Sequence, residues 1–127
     1  MKRNFLFFVL LIFLISFNSC AMGTAKSISE MTPKEKTTFM LGVYNSQYAD
    51  YMSQTGYSWD GEKKEYVKIS TPTLSDERKE VLKKKKEILT KLYPLIKMYD
   101  SVANTGVVPS HEVEQQIFDL LNNLQSM

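Results

Sequence analysis

Histidine and cysteine are almost absent from this sequence, with His111 and Cys20 the sole examples. Zinc sites draw their ligands chiefly from those two residue types, so the chain offers no zinc set. Nor does it offer a nucleophile–base pair of the serine or cysteine type. His111 falls in the first turn of an expected helix, where it reads as a surface residue beside the cap. Glu112 and Glu114 in that turn answer to the helix dipole more simply than to paired acid–base chemistry. Glycine is scarce too, at 5 residues, and nowhere clustered into a phosphate-cradling loop. The composition therefore points away from an enzyme and gives no reason to expect a metal, a cofactor or a small-molecule substrate.

Long apolar runs are equally scarce. One exists, Phe5 to Phe17, broken only by Ser16 and preceded by the cations Lys2 and Arg3. As a helix it spans about 20 Å at about 1.5 Å per residue. That is short of the hydrocarbon core of about 30 Å and suits a cleaved export signal better than a permanent anchor. The residues that follow, Phe17-Asn18-Ser19-Cys20, resemble the lipobox of bacterial lipoproteins. The resemblance implies cleavage before Cys20, a diacylglyceryl group on its thiol, and a membrane-tethered product at the cell envelope. Where the host has two membranes, Ala21 after the cysteine favours the outer one. Two further junctions, after Ala21 and after Gly23, carry the small residues that ordinary signal peptidase requires. Cleavage at either would discard Cys20 and release a secreted soluble protein.

Removing the signal changes the charge balance. Lys2 and Arg3 leave, taking 16 basic residues to 14, against 14 acidic ones, so the formal +2 falls to zero. The basic character of the precursor is no argument for nucleic-acid binding, and none is expected. Losing Cys20 as a free thiol also leaves an exported domain that relies on no disulfide.

The remainder reads as all-α: a small three-helix bundle with helices over 33–55, 76–104 and 111–125. A signal peptide (1–19) and a small, polar tether (20–31) precede a single helical domain (32–127). Thr32-Pro33-Lys34-Glu35 is a capping box with proline at the first helical position. Met40, Leu41, Tyr44, Tyr48, Tyr51 and Met52 share one face of the first helix, with Phe39 and Val43 at its margin. Gly56 closes it. Residues 56–74 form a long loop, with a small hairpin as the alternative; Asp60-Gly61 marks a turn and 65–69 has strand character without an evident partner strand. Ser75 caps the second helix, which carries Pro94 in its interior and is expected to kink there. Leu89, Leu92, Ile96, Tyr99 and Ala103 keep their stripe in phase across the proline. Ser110 caps the third helix, whose stripe is Val113, Ile117, Leu120, Leu121 and Leu124.

Two features suggest a binding surface. The run Lys83-Lys84-Lys85-Lys86 makes the second helix cationic; Glu80 and Glu87 are spaced to pair with it at i, i+4. Arg78 and Lys85 fall on the arc of Leu82 and Leu89, which predicts that residues 76–87 project from the bundle or cover its end. The second feature is aromatic. Tyr44, Tyr48 and Tyr51 recur at helical spacing, followed by Tyr57 and Trp59, an arrangement able to stack sugars or peptide. The first three read more simply as core, whereas Tyr57 and Trp59 in the loop read as contact residues. Tyr57, Trp59 and Lys83 to Lys86 are thus the candidate partner-binding positions, and Cys20 is the candidate lipidation site. The expected function is a lipid-anchored envelope protein that binds another envelope protein. The alternative is contact with anionic lipid or wall polymer through the basic helix, residues 78–97.

Overall fold

A computed structural model describes residues 26–127. The expected signal peptide and the lipobox-like residues, Cys20 among them, lie outside the described residues. Residues 26–30 hold a short 3-10 turn, Ile28–Glu30, in which the amide and hydroxyl of Ser27 both donate to the Glu30 carboxylate.

Met31–Met127 form one unit. Its elements are α1 (Pro33–Gln54), β1 (Tyr57–Asp60), β2 (Glu65–Lys68), α2 (Asp76–Asn104) and α3 (His111–Gln125). The molecule is mostly helical, but it is not the pure three-helix bundle that the sequence suggests.

Helix punctuation follows the expected chemistry closely. Thr32 Oγ1 accepts from the Glu35 amide at 3.2 Å, and the Thr32 amide donates back to Glu35 Oε2 at 2.7 Å. This capping box satisfies two amides that have no partner in the first turn. Ser75 Oγ accepts from the Arg78 amide at 3.2 Å and starts α2. Ser110 stands at the N-cap of α3 but its hydroxyl makes no capping bond; only its carbonyl is used, by the Glu114 amide. α2 runs through Pro94 without a break in the helix. It ends at Gly106, whose φ of +79° suits a residue lacking Cβ.

The core lies where the three stripes meet. Met40 of α1, Leu89, Leu92, Ile96 and Tyr99 of α2, and Ile117, Leu121 and Leu124 of α3 are buried together. Fully burying side chains of this size stabilises by about 1.5–3 kcal/mol each before conformational entropy is counted. Leu41, Val43, Tyr44, Tyr48 and Tyr51 pack half-buried at its edge.

Two expectations need correction. The segment 56–74 is not a plain loop but carries the alternative, a small hairpin: the strand expected near 65–69 finds its partner in Tyr57–Asp60, with Tyr57 opposite Lys68 and Asp60 opposite Glu65. The turn is built by Asp60, whose Oδ1 accepts from the amides of Glu62 and Lys63 at 3.0 and 3.1 Å. Lys64 takes the left-handed conformation, φ 55°, to re-enter β2. Gly56 joins helix to hairpin. Its φ is +88°, its carbonyl accepts from Ile69 and Ser70, and a Cβ there would collide with the Ser70 carbonyl. That close approach is open only to glycine.

The second correction concerns residues 76–87, which do not project. Leu82 and Lys85 are buried, 4% and 5% exposed. Lys85 Nζ donates to Asp50 Oδ2 of α1 at 2.6 Å. Gln54 Nε2 donates to the same carboxylate oxygen at 2.6 Å, and Arg78 donates in turn to Gln54 Oε1. Cations on an apolar arc are thus explained by a polar seam that fastens the start of α2 to the end of α1. The Lys85 bond holds the Asp50 carboxyl below its ordinary value; burial opposes it, and the Lys85 charge, the Gln54 bond and the Arg78 charge add to the lowering.

Candidate functional site

α3 covers one side of the α1–α2 pair. The opposite side is occupied by aromatic rings contributed by both helices and the hairpin. Tyr44 and Tyr48, four residues apart on α1, stack at 5.9 Å between centroids with planes 12° apart. Tyr93 of α2 meets Tyr44 at 5.3 Å. Tyr66 of β2 sets its edge against Tyr48 at 5.5 Å, and Trp59 of β1 packs on Tyr66 at 5.2 Å. Trp59 and Tyr66 face each other directly in the strand register, so a cross-strand pair carries the row onto the hairpin. The row runs Trp59, Tyr66, Tyr48, Tyr44, Tyr93.

Two adjoining clefts flank this row. The larger, about 530 Å³, lies between α1 and α2 and is lined by Tyr51, Met52 and Tyr57 on one side and Lys86, Leu89, Thr90 and Pro94 on the other. The second, about 490 Å³, is lined by Asn45, Trp59 and Tyr66. Tyr44, Tyr48 and Tyr93 border both. Each is of the size that holds a ligand segment. Among the residues lining the two clefts, Lys86 alone carries a charge.

The polar groups here are unused within the chain. Among the described residues, Tyr99 is the one tyrosine whose hydroxyl makes a hydrogen bond, and neither the Trp59 indole N–H nor the Lys86 ammonium has a partner. The threonine hydroxyls, by contrast, are turned onto their own helices: Thr55 donates to the Tyr51 carbonyl and Thr90 to that of Lys86. Burial, then the neighbouring Tyr48 and Tyr93, pushes the Tyr44 phenol above its ordinary value, so at neutral pH it is a protonated donor.

The sequence candidates are distributed unevenly over this surface. Trp59 is 55% exposed and stands at the end of the row, and Tyr57 lines the larger cleft. Lys86 reaches that cleft; Lys83 and Lys84 are exposed on α2 outside both clefts; Lys85 is buried in the seam and shares no surface with them. The pairs expected of Glu80 and Glu87 do not form among the described residues, so Lys83, Lys84, Lys86 and Lys91 are left without ion-pair partners. Tyr44, Tyr48 and Tyr51 pack on the core and also front the clefts, which combines the two readings of that stripe. Tyr66, Tyr93 and Asn45 escaped the sequence reading. Tyr66 becomes visible only once the hairpin register is known. Tyr93 lies off the apolar arc of α2 and beside Pro94, and those two facts together were the available signal.

A second polar cluster lies within the fold. Glu114 of α3 accepts from Lys36 Nζ of α1 and from the Tyr99 hydroxyl of α2, both at 2.7 Å. Burial pushes the Glu114 carboxyl up, but the bonds from Lys36 and Tyr99, with the charges of Lys36 and His111, outweigh it and leave the carboxyl below its ordinary value. Burial and the Glu114 carboxylate push the Tyr99 phenol well up. The three groups satisfy one another and tie three helices together, with nothing left over for a ligand.

Among the described residues no helix is long and apolar enough to cross a membrane, and no cluster of histidine, cysteine and carboxylates has metal-site geometry. Comparison with protein-family models, with curated proteins and with solved structures finds no match to this chain.

Proposed function

We propose that this chain is an exported protein, tethered through lipid on Cys20, whose aromatic row binds another protein of the cell envelope. The observation that supports it is the row itself. Five rings from four elements converge on the face that α3 leaves uncovered, with donors that no group of the chain occupies. Tyrosine and tryptophan supply large contact area at small conformational cost, which is why they dominate binding hot spots. The lipobox-like Phe17-Asn18-Ser19-Cys20 supports the tether.

Crosslinking in intact cells tests the reading. A crosslinked species present with the native chain should be lost when Trp59→Ala and Tyr93→Ala are combined, and should persist with Lys83→Gln and Lys84→Gln. Recovery unchanged by the aromatic pair would remove the row from the proposal. The tether is tested by intact mass: a lipid-sized increment on an N-terminal Cys20 should vanish with Cys20→Ser, and a product beginning at Met22 or Thr24 would exclude it.

The unpaired lysines of α2 favour a second reading, contact with anionic lipid or wall polymer. It predicts binding that weakens steeply with salt, because exposed charges are screened beyond about 8 Å at physiological ionic strength.

A further inference from the structure

The donors and acceptors of the aromatic row are out of balance, and the imbalance selects a ligand chemistry. The Trp59 indole and the Lys86 ammonium can only donate. No carboxylate lines either cleft, and Asn45 holds the one side-chain amide oxygen among the lining residues. The hydroxyls of Tyr44, Tyr48, Tyr66 and Tyr93 are free to donate or to accept, so the excess of donors rests on Trp59 and Lys86. A ligand satisfied here is rich in acceptors, poor in donors, and apolar enough to lie on ring faces.

Sugar chains do not meet that description. Each of their hydroxyls donates as well as accepts, and the clefts have only neutral hydroxyls and Asn45 to receive such donors, with no carboxylate among the lining residues. Nor is the row a flat platform for sugar faces, since its rings meet at 12°, 38°, 80° and 67°. Those angles make ridges and notches instead. Proline-rich peptide does meet the description: each proline keeps its carbonyl acceptor and loses its N–H donor. Such peptide forms the polyproline II helix, whose preformed shape docks in aromatic-lined grooves at low entropic cost.

Charge supplies the remaining specification. Lys86 is the only charged side chain on the clefts, it lacks an ion-pair partner, and Lys83 and Lys84 precede it on the exposed surface of α2. We infer that the row is a docking site for an extended, proline-rich segment of a partner protein bearing an Asp or Glu that seats at Lys86. This rests on the reading of the row as a protein-binding surface and names the segment it takes.

The full chain, solubilised in mild detergent, is used to select from a display library of short random peptides, and Trp59 emission then reports titration with the selected peptides. Proline should be enriched several-fold over the starting library, with an acidic residue at a fixed distance from it. Lys86→Glu should weaken those peptides by about tenfold or more, as expected for loss of one charge-assisted bond. It should leave their uncharged glutamine counterparts nearly unaffected. Tyr93→Ala should weaken acidic and neutral peptides alike. A selected pool without proline, no selection above the Tyr93→Ala background, or a Trp59 response to neutral sugar oligomers but not to peptides would each overturn the inference. The two proposals fail separately. A cellular crosslink that depends on Trp59 and Tyr93 but maps to a proline-free segment would sink this one and leave the protein-binding reading standing.

Discussion

Tyr93 and Tyr99 belong to the same helix, less than two turns apart, and their environments are opposite. Tyr99 is 1% exposed, a member of the buried core cluster, with its hydroxyl delivered to Glu114. Tyr93 is 46% exposed, leans on Tyr44, and its hydroxyl has no partner in the chain. α2 packs along one side against α3, whereas the short hairpin packs chiefly on α1 and leaves Tyr93 at the end of the aromatic row. The difference teaches how to separate tyrosines that hold a fold from those offered to a partner. A structural tyrosine buries its ring and has its polar end satisfied, because an unpaired buried hydroxyl costs about 1–3 kcal/mol. A tyrosine with a half-covered ring and an idle hydroxyl contributes little to folding.

The largest effect should come from truncation on the two sides. Leu92→Ala empties a position that is fully buried, and urea unfolding should show a loss of about 2–5 kcal/mol. Its neighbour Tyr93→Ala should cost about 1 kcal/mol or less, in the range of substitutions away from a packed core. Equal losses at the two positions would break the comparison and make the row part of the core.

Gly56→Ala tests whether the hairpin is a separable cover. The positive φ and the collision with the Ser70 carbonyl together should cost about 1–3 kcal/mol. The damage should be local: Trp59 emission changes, while hydrogen exchange in α3 stays close to native. Exchange accelerated across α3 would show that both sides stand or fall together.

Next in size is the Glu114 cluster, where the sign of the pH dependence follows from the two shifts. Glu114 has a lowered pKa in the fold, so its contribution is present above the unfolded value of 4.5 and is lost as pH falls through the folded value. Tyr99 is raised, so its contribution is present below 10.0 and is lost as pH rises beyond that. Stability should therefore fall at both extremes. Tyr99→Phe should lower neutral stability by about 1 kcal/mol and flatten the alkaline limb. Lys36→Met, which leaves the carboxylate with Tyr99 alone, should cost about 2 kcal/mol and move the acid limb to higher pH.

Legibility divides along the same line. The α3 side was open to reading because every signal there is local: the capping box at Thr32, Ser75 before α2, Gly106 after it, and stripes at helical spacing. The row was only half legible, since it depends on pairings remote in sequence. Tyr66 meets Tyr48 only through a hairpin whose first strand, Tyr-Ser-Trp-Asp, alternates aromatic and polar residues but is only four residues long, too short for its period to stand out from a turn-rich segment. Lys85 was misplaced for the same reason. A charge on an apolar arc reads as a protruding helix unless Asp50, far away in the chain, is known to face it.

The smallest effects lie within the lysine run, where they resolve which members are structural. Lys85 is buried against Asp50, but the Asp50 side chain is 51% exposed, so solvent screens the charge left behind when the lysine is removed. Lys85→Gln should cost about 1 kcal/mol, from lost packing of its stem and the lost bond, and should release the Asp50 carboxyl toward its ordinary value. Lys83→Gln and Lys84→Gln make no intramolecular bond to lose and should change stability by less than about 0.5 kcal/mol. Urea midpoints for the three variants, with NMR titration of Asp50, check this. A loss at Lys83 or Lys84 equal to that at Lys85 would mean that the run acts in the fold as a block. The expected difference places one lysine in the seam and leaves its neighbours available to whatever approaches the aromatic side.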